Sequence, residues 1–229
     1  DRYRDYLAKE QQLYDAFENL SDIHFGTRLV NATYVDSEDT SSSRTHLAFF
    51  MEHQRRLRDR FDMEEVELNS IPYSALDPMQ SSLVGLFMYQ IGNTDFSMIQ
   101  APEGDECCHN AKLLVDEAGR YFPIPYDFDS SGFVDANYAA PPNPSFGIRN
   151  NKSRAYRGFC FEPEQMNAAV ARITAERDNT IALVADTRHV STRTADKSVR
   201  YMEDFYEVLE NQRRFQRNII DVCRGTLIE

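Results

Sequence analysis

The chain has 229 residues, of which 41% are hydrophobic and 27% are charged, and its net charge is −12 at pH 7. These values describe a globular protein long enough for one large domain or two small lobes. The negative charge argues against a nucleic-acid partner, because sequence-independent binding of the phosphate backbone needs clustered Lys and Arg. The same charge is compatible with a site that recruits divalent cations. No apolar run approaches the roughly 20 residues that span a bilayer, so we expect no transmembrane segment.

The beginning of the chain predicts a helix followed by a β-hairpin. Apolar residues at helical spacing indicate a helix over Arg2 to Leu20. Alternating residues predict strands over Thr27 to Val35 and Thr45 to Met51, joined by a polar turn. The arginine-rich stretch from Glu52 to Phe61 is typical of a short helix. Because the chain opens directly on a helix pattern, we expect it to begin inside a domain, with an upstream segment before it.

The middle of the chain predicts a capped helix and a second hairpin. Asp77 at the N-cap and Pro78 at the first position indicate a helix start, and the helix ends at Gly92. A polar insertion follows. We place the two strands of the hairpin at Lys112 to Val115 and Tyr121 to Tyr126, around a turn that contains glycine.

The end of the chain predicts a loop and two helices. Prolines exclude regular structure from Ala139 to Asn151. Helical patterns then run from Glu164 to Asp186 and from Thr194 to Cys223. The order of elements predicts an α+β fold, with a small hairpin layer in residues 1–68 ahead of a mostly helical lobe in residues 69–229.

Four cysteines leave the redox compartment open between an exported or periplasmic location and the cytoplasm. Cys107 and Cys108 are adjacent, and adjacent cysteines rarely bridge each other without strain. We expect free thiols, or one disulfide from this pair to Cys160 or Cys223 if the protein is exported. A zinc site of Cys107, Cys108 and His109 lacks a second ligand pair at metal-binding spacing.

Polar residues in a fixed order predict a site for phosphoryl transfer. Asp95 lies just past a helix end in GNTDF, Asn110 precedes a strand in HNAKL, and the pair Asp127 and Asp129 follows the strand YFPIPY. Phosphoryl transfer from a nucleotide needs one Asp that orients or deprotonates the acceptor, and an Asn and an Asp that hold the metal. The structural alternative is that Asp95 forms an ordinary turn and Asn110 caps the backbone.

The two carboxylates of Asp127 and Asp129 share one side if the strand continues through them, because residues two apart in a strand face the same way. Two like charges so close are unfavourable unless a cation neutralises them. A divalent cation with nucleotide phosphates would do so. The alternative is that the two carboxylates cap the segment Ser130-Ser131-Gly132 or pair with Arg149, Arg154 or Arg157. Arg154 and Arg157 are also candidates for contact with an anionic acceptor.

Together, the segments GNTD, HN-K-L and PIPYDFDSSGFV resemble the catalytic and metal-binding loops of bacterial atypical kinases, above all the spore-coat CotH kinase-like group and uncharacterised bacterial proteins similar to it. The opening helix and the segments TRLVNATYVDS and RTHLAFFME resemble their N-lobe helix and last two N-lobe strands. The resemblance implies an atypical protein-kinase-like fold with a truncated N-lobe. It also implies ATP, Mg²⁺ or Mn²⁺, and a protein or small molecule as acceptor.

The resemblance assigns roles to five residues. Asp95 matches the catalytic Asp, Asn110 and Asp127 match the metal-binding positions, and Asp129 matches the second carboxylate of the D-x-D motif. Glu10 is the candidate for the helix Glu that pairs with a phosphate-binding Lys.

The chain also departs from the kinase pattern. No glycine-rich loop precedes the opening helix, and the only early lysine, Lys9, lies on that helix. Asp95 and Asn110 are fifteen residues apart, where typical protein kinases have a short fixed gap. We therefore expect either a kinase whose first strands lie upstream or a relative that no longer binds ATP normally.

Two other classes of function follow from these departures. One is a catalytically inactive kinase-fold protein, a pseudokinase, that binds a partner at the cell envelope. The other is a metal-dependent hydrolase that uses Asp95, His109, Asp127 and Asp129, although such an enzyme would normally carry more histidines at ligand spacing.

Overall fold

The computed structural model describes residues 2–66 and 68–225. This part of the chain forms seven α-helices and two small antiparallel sheets, so the predicted α+β class is confirmed. The helices are α1 (Arg2–Leu20), α2 (Gln54–Phe61), α3 (Pro78–Ile91), α4 (Pro163–Ala175), α5 (Arg177–Val184), α6 (Thr192–Glu210) and α7 (Gln212–Asn218). The strands are β1 (Thr27–Val35), β2 (Ser43–Met51), β3 (Glu64–Glu65), β4 (Ala111–Val115) and β5 (Tyr121–Pro125).

The first hairpin forms a two-stranded sheet in the predicted place. β1 pairs with β2 in a register that joins Thr27 to Met51 and Val35 to Ser43. The sheet packs on α1, yet large apolar side chains such as Tyr34 and Phe50 remain 64% and 68% exposed. A two-stranded sheet buries little surface, so this layer depends on α1 for its position.

The second sheet has the order β3-β4-β5, and its β4–β5 hairpin agrees with the prediction to within one residue at each strand end. β5 is an edge strand, and Pro123 is tolerated there because a proline cannot donate to an inner ladder. The prediction missed β3, because two glutamates give no alternating pattern to detect.

Helix α3 is the centre of the core. Its Asp77 N-cap accepts a hydrogen bond from the Gln80 backbone N–H, as predicted. Every residue from Gln80 to Ile91 is buried, so the helix is enclosed on all sides. Phe87 packs against Phe17 of α1 and against Phe128 of the loop after β5. The core therefore holds α1, the site loops and the C-terminal helices against one rigid element.

The C-terminal region corrects the prediction of two long helices. The first breaks at Glu176 into α4 and α5, and the second breaks at Asn211 into α6 and α7. Asn211 has an extended ψ of 101°, and its side chain accepts a hydrogen bond from the Arg214 N–H. An asparagine that caps a new helix therefore stands where the sequence pattern shows continuous periodicity. None of the helices in residues 2–66 and 68–225 is both long and apolar enough to cross a membrane.

The cysteines pair differently from the prediction. Cys160 is bonded to Cys223, and Cys107 is bonded to its neighbour Cys108, so the expected free thiols and the expected cross-pairing are both wrong. A backbone hydrogen bond joins the segments of Cys160 and Cys223, because the Cys160 N–H donates to the Arg224 carbonyl at 2.9 Å. Arg224 lies next to Cys223 in the chain, so this bond brings the two cysteines together.

Candidate active site

The turn after α3 presents Asp95 to solvent. Gly92 ends the helix with a φ of +66°, in the left-handed region that favours glycine. The buried Asn93 side chain then accepts a hydrogen bond from the Asp95 N–H at 2.8 Å and donates to the Asp127 carbonyl at 3.5 Å. Asn93 therefore links the turn of GNTDF to the loop that carries Asp127 and Asp129.

His109 and Asn110 contact Asp95 directly. His109 Nε2 lies 2.8 Å from Asp95 Oδ1. Asn110 Nδ2 donates to the Asp95 carbonyl at 2.7 Å and lies 3.4 Å from Asp95 Oδ2. These bonds commit the amide nitrogen of Asn110, so its Oδ1 is the atom that remains to accept or to ligate. The long insertion between Asp95 and Asn110 thus folds back and brings the two residues together.

Asp127 and Asp129 follow the end of β5 in a loop, rather than continuing the strand as the prediction assumed. Asp127 has a φ of +59°, and the Phe128 side chain between the two carboxylates is fully buried. The two carboxylates are nevertheless close enough that the charge of Asp129, after desolvation, raises the pKa of Asp127. The Asp127 N–H donates to the Tyr14 hydroxyl at 2.9 Å, and Tyr14 also packs on Phe128. Helix α1 therefore fixes this loop.

Glu10 of α1 is the third carboxylate of this group. Burial, followed by the charges of Asp129 and Asp127, raises the pKa of Glu10 from 4.5 to about 7, against a hydrogen bond from the Phe128 N–H that lowers it. Desolvation by its surroundings, followed by the charges of Asp129 and Asp95, raises the pKa of Asp127. Desolvation therefore makes Glu10 and Asp127 harder to ionise, and the nearby carboxylate charges add to this effect.

The nearby arginines do not neutralise these acids. Arg154 donates to the backbone carbonyls of α3 and α6, and Arg157 donates to the carbonyls of Thr94 and Phe96 beside Asp95. In residues 2–66 and 68–225, no ion pair joins a lysine or arginine to Glu10, Asp127 or Asp129. The alternative that these arginines pair with the acidic residues is therefore wrong. The Ser130 hydroxyl, in contrast, donates to Asp129 Oδ1 at 3.1 Å, in agreement with the alternative in which the carboxylates cap this segment.

Two lysines near the site differ in what they face. Lys9 Nζ donates to the Val134 carbonyl at 2.7 Å, and burial lowers the pKa of Lys9 to about 8. Lys112 of β4 lies two residues after Asn110 and lines two neighbouring cavities of about 450 and 320 Å³. Among the described residues, none forms a hydrogen bond or ion pair with the Lys112 ammonium group. Lys112 was not among the predicted site residues, because only an early lysine was expected to bind phosphate, although the K of the HN-K-L motif was an available signal.

The site opens into separate cavities on either side of His109. Asp95, His109 and Arg157 line one cavity of about 660 Å³, whose far wall is the proline-rich loop. His109, Asn110 and Lys112 line the cavity of about 450 Å³. A second cavity that Lys112 lines is shared with Phe25 and with residues that follow β2. The arrangement provides room for one group beside Asp95 and for another beside Asn110 and Lys112.

The donor atoms of the site suit a hard cation. The described residues contain no group of three or more His, Cys, Asp or Glu side chains arranged as a metal-ligand set. The Asn110 amide oxygen and the Asp127 and Asp129 carboxylates are nevertheless oxygen donors without a protein counter-charge. Mg²⁺ commonly takes one or two protein carboxylates and completes its shell with phosphate oxygens and water. The donor set therefore fits a cation that arrives with a nucleotide.

The comparisons with known proteins found no relative of this chain. No protein-family model matches the sequence, no curated protein matches it, and no solved structure matches it.

Proposed function

We propose that the protein is an atypical kinase-like phosphotransferase that moves a phosphoryl group from ATP to an acceptor in a metal-dependent reaction. One observation carries the proposal: three separate segments bring Asp95, Asn110 and Asp127 close together, and no lysine or arginine of the described residues forms an ion pair with Asp127. The resemblance of these segments to the loops of CotH-like kinases supports the same conclusion. A kinase-like arrangement of the α1 and hairpin layer against the helical lobe is part of the proposal.

The metal-binding role falls to Asn110 and Asp127, with Asp129 assisting. A bound Mg²⁺ or Mn²⁺ would neutralise the phosphate charge that develops during transfer. Asn110 offers Oδ1, because its Nδ2 is held by Asp95. Glu10 contributes a further negative charge behind Asp127 and Asp129, and its protonation state follows the charge that they carry. Lys112 offers a free ammonium group to the nucleotide phosphates.

Asp95 would orient the acceptor hydroxyl. Its side chain is exposed, and the hydrogen bond to His109 holds one carboxylate oxygen in place and leaves the other near the cavity. The acceptor oxygen forms a bond to the terminal phosphorus while the bond from that phosphorus to the bridging oxygen of ADP breaks. The hydroxyl proton passes to the Asp95 carboxylate, and ADP leaves with the electron pair of the broken bond.

A second candidate is a pseudokinase that binds a partner at the cell envelope. The lack of a lysine partner for Glu10 favours it: among the described residues no lysine forms an ion pair with Glu10, and Lys9 of the same helix donates to the Val134 carbonyl. The two disulfides suit an oxidising compartment, which supports an exported protein under either proposal.

The test of the proposal is transfer of label from γ-labelled ATP in the presence of Mn²⁺, to the protein itself or to added acceptors. We expect label transfer by the wild type, and transfer reduced at least about a hundredfold by Asp127→Asn and by Asp95→Ala. The Asp95→Ala protein should keep the thermal stabilisation that Mn²⁺ and ATP give the wild type. Asp59→Asn, which changes a surface acid paired with Arg58 on α2, is the matched control and should transfer normally.

Two outcomes would reject the proposed chemistry. The absence of both label transfer and stabilisation by Mn²⁺ and ATP would favour the pseudokinase. Undiminished transfer by Asp95→Ala would remove the role given to Asp95.

A further inference from the structure

A second charged pocket lies beside the Asp95 cavity and has the opposite sign. It encloses about 500 Å³, and its wall carries four arginines, namely Arg154, Arg157, Arg217 and Arg224. No Asp or Glu of the described residues lines it. Because like charges repel, four cations around one pocket of a protein with a net charge of −12 point to an anionic ligand.

Backbone carbonyls anchor two of these arginines without neutralising them. Arg154 donates to two carbonyls, and Arg157 donates to those of Thr94 and Phe96. A carbonyl group carries no net charge, so both guanidinium groups keep their full positive charge. Burial, followed by repulsion from Arg224, lowers the pKa of Arg157 to about 10.

Arg224 is the least satisfied of the four. Its Nε and Nη2 atoms are buried and have no hydrogen-bond partner in the described residues. The guanidinium lies over the Phe159 ring at 4.5 Å, a contact that leaves its in-plane N–H groups free. Buried donors without partners are rare in folded proteins, and Arg224 also lines the pocket, so its charge is the least compensated of the four.

We propose that this pocket binds a phosphate-class anion, to which Arg224 and Arg217 donate beside the anchored Arg154 and Arg157. Guanidinium groups recognise phosphate because their planar N–H pairs match two of its oxygens. The pocket volume admits a phosphoryl group together with a small attached molecule.

The anion pocket is continuous with the cavity at Asp95. Arg157 and Phe146 line both, and the Arg157 guanidinium lies 4.4 Å from the Phe146 ring. A small molecule could therefore place a phosphate group among the arginines and a hydroxyl beside Asp95. Resting on the proposed function, we infer that the acceptor is a small hydroxyl compound that already carries a phosphate group.

The pocket is tested first with inorganic phosphate alone, without nucleotide or metal, at constant ionic strength balanced with NaCl. Isothermal titration calorimetry should show one site in the wild type, weakened at least about tenfold in Arg224→Gln because charge-assisted hydrogen bonds are lost. Arg217→Gln, on the exposed rim, should weaken binding without affecting the fold. Arg213→Gln removes the same charge from an exposed position of α7 that does not line the pocket, and it should bind as the wild type does.

Three results would overturn the anion pocket: no phosphate binding by the wild type, equal binding by the wild type and Arg224→Gln, or loss of binding in Asp127→Asn alone. The last result would place phosphate at the acidic cleft. Because this titration contains no ATP, it is independent of whether the protein transfers phosphate.

The acceptor inference needs a second measurement. In the label-transfer assay, glycerol 3-phosphate should be a better acceptor than glycerol, and Arg224→Gln should raise the KM for glycerol 3-phosphate about tenfold with little change in kcat. Transfer that does not distinguish the two compounds would reject a phosphorylated acceptor while leaving the proposed function in place.

Discussion

The acidic cleft and the arginine pocket are neighbours that hold unpaired charges in different ways. In the pocket, Arg154 and Arg157 are fixed by backbone carbonyls, so their positions have a structural explanation even without a ligand. In the cleft, burial and then the charges of neighbouring carboxylates raise the pKa of Glu10 and Asp127. The cleft therefore depends more strongly on a counter-ion than the pocket does.

Some charged side chains elsewhere in the described residues form ion pairs. Lys152 pairs with Asp135 at 2.8 Å, and Arg177 pairs with Glu210 at 2.6 Å. Such exposed pairs contribute little stability. The site and the pocket differ from them because Glu10, Arg154 and Arg157 are largely buried and yet form no ion pair among the described residues.

The largest expected effect comes from Asp127→Asn, which separates the effect of Asp127 on stability from its contribution to phosphoryl transfer. Label transfer should fall at least about a hundredfold, since the metal loses a charged ligand. The free energy of unfolding without ligand should stay the same or rise, because one member of a repelling pair becomes neutral. Denaturant unfolding beside the transfer assay measures both. A free energy of unfolding well below that of the wild type would mean that Asp127 is structural.

Replacing Asp95 should affect transfer but not binding. We expect Asp95→Ala to reduce transfer by about 10²- to 10⁴-fold, the usual contribution of a positioned base, with unchanged binding of ATP and Mn²⁺. His109→Ala should have a smaller effect of about tenfold, because His109 holds Asp95 without touching the acceptor oxygen. Steady-state kinetics with both variants measures this order. A larger loss in His109→Ala than in Asp95→Ala would exchange the two roles.

The turn that positions Asp95 should be intolerant of a side chain at Gly92. An alanine Cβ there would lie 2.1 Å from the Tyr201 hydroxyl, and the φ of +66° adds backbone strain. We expect Gly92→Ala to lower the free energy of unfolding by about 1–3 kcal/mol, measured by urea unfolding. Gly119→Ala is the matched control, because Gly119 also has a positive φ but has no atom near its Cβ position. Equal losses in both variants would show that the contact with Tyr201 is unimportant.

The smallest effect is a pH-dependent gain from Glu10→Gln. An acid whose pKa is raised in the fold makes stability fall as the pH rises from its ordinary value of 4.5 to about 7. Glutamine removes this penalty, so the variant should be more stable by about 1–3 kcal/mol at pH 8 and almost unchanged at pH 4. Mn²⁺ with ATP should reduce the gain, because a cation favours the charged form. An equal gain at both pH values would contradict the proposed cause.

Local rules predicted most of the elements and the order of the site residues. Asp77, Pro78 and Gly92 are strong start and stop signals, and α3 begins and ends where they indicate. The breaks at Glu176 and Asn211 had no such signal, because neither glycine nor proline marks them. β3 is two residues long, and pairing with β4 alone makes it a strand.

The site was predicted as a set of residues but not as a geometry. Nothing in the sequence shows that the insertion after Asp95 folds back so that Asn110 bonds to the Asp95 carbonyl. The placement of Glu10 against Asp127 and Asp129 depends on how α1 packs against the loop after β5, which is a tertiary contact. Lys112 and Arg224 were missed for the same reason, since each becomes notable only when its surroundings are known.

The most direct test of the central claim, that the unpaired carboxylates of the cleft form a cation site, is titration of Mn²⁺ in the presence of ATP by electron paramagnetic resonance. The signal of free Mn²⁺ should fall further when wild-type protein is added to the Mn²⁺ and ATP mixture, and Asp127→Asn should not cause this additional fall. Asp59→Asn should behave as the wild type does. An identical fall with the wild type and Asp127→Asn, or no fall with either, would contradict the account.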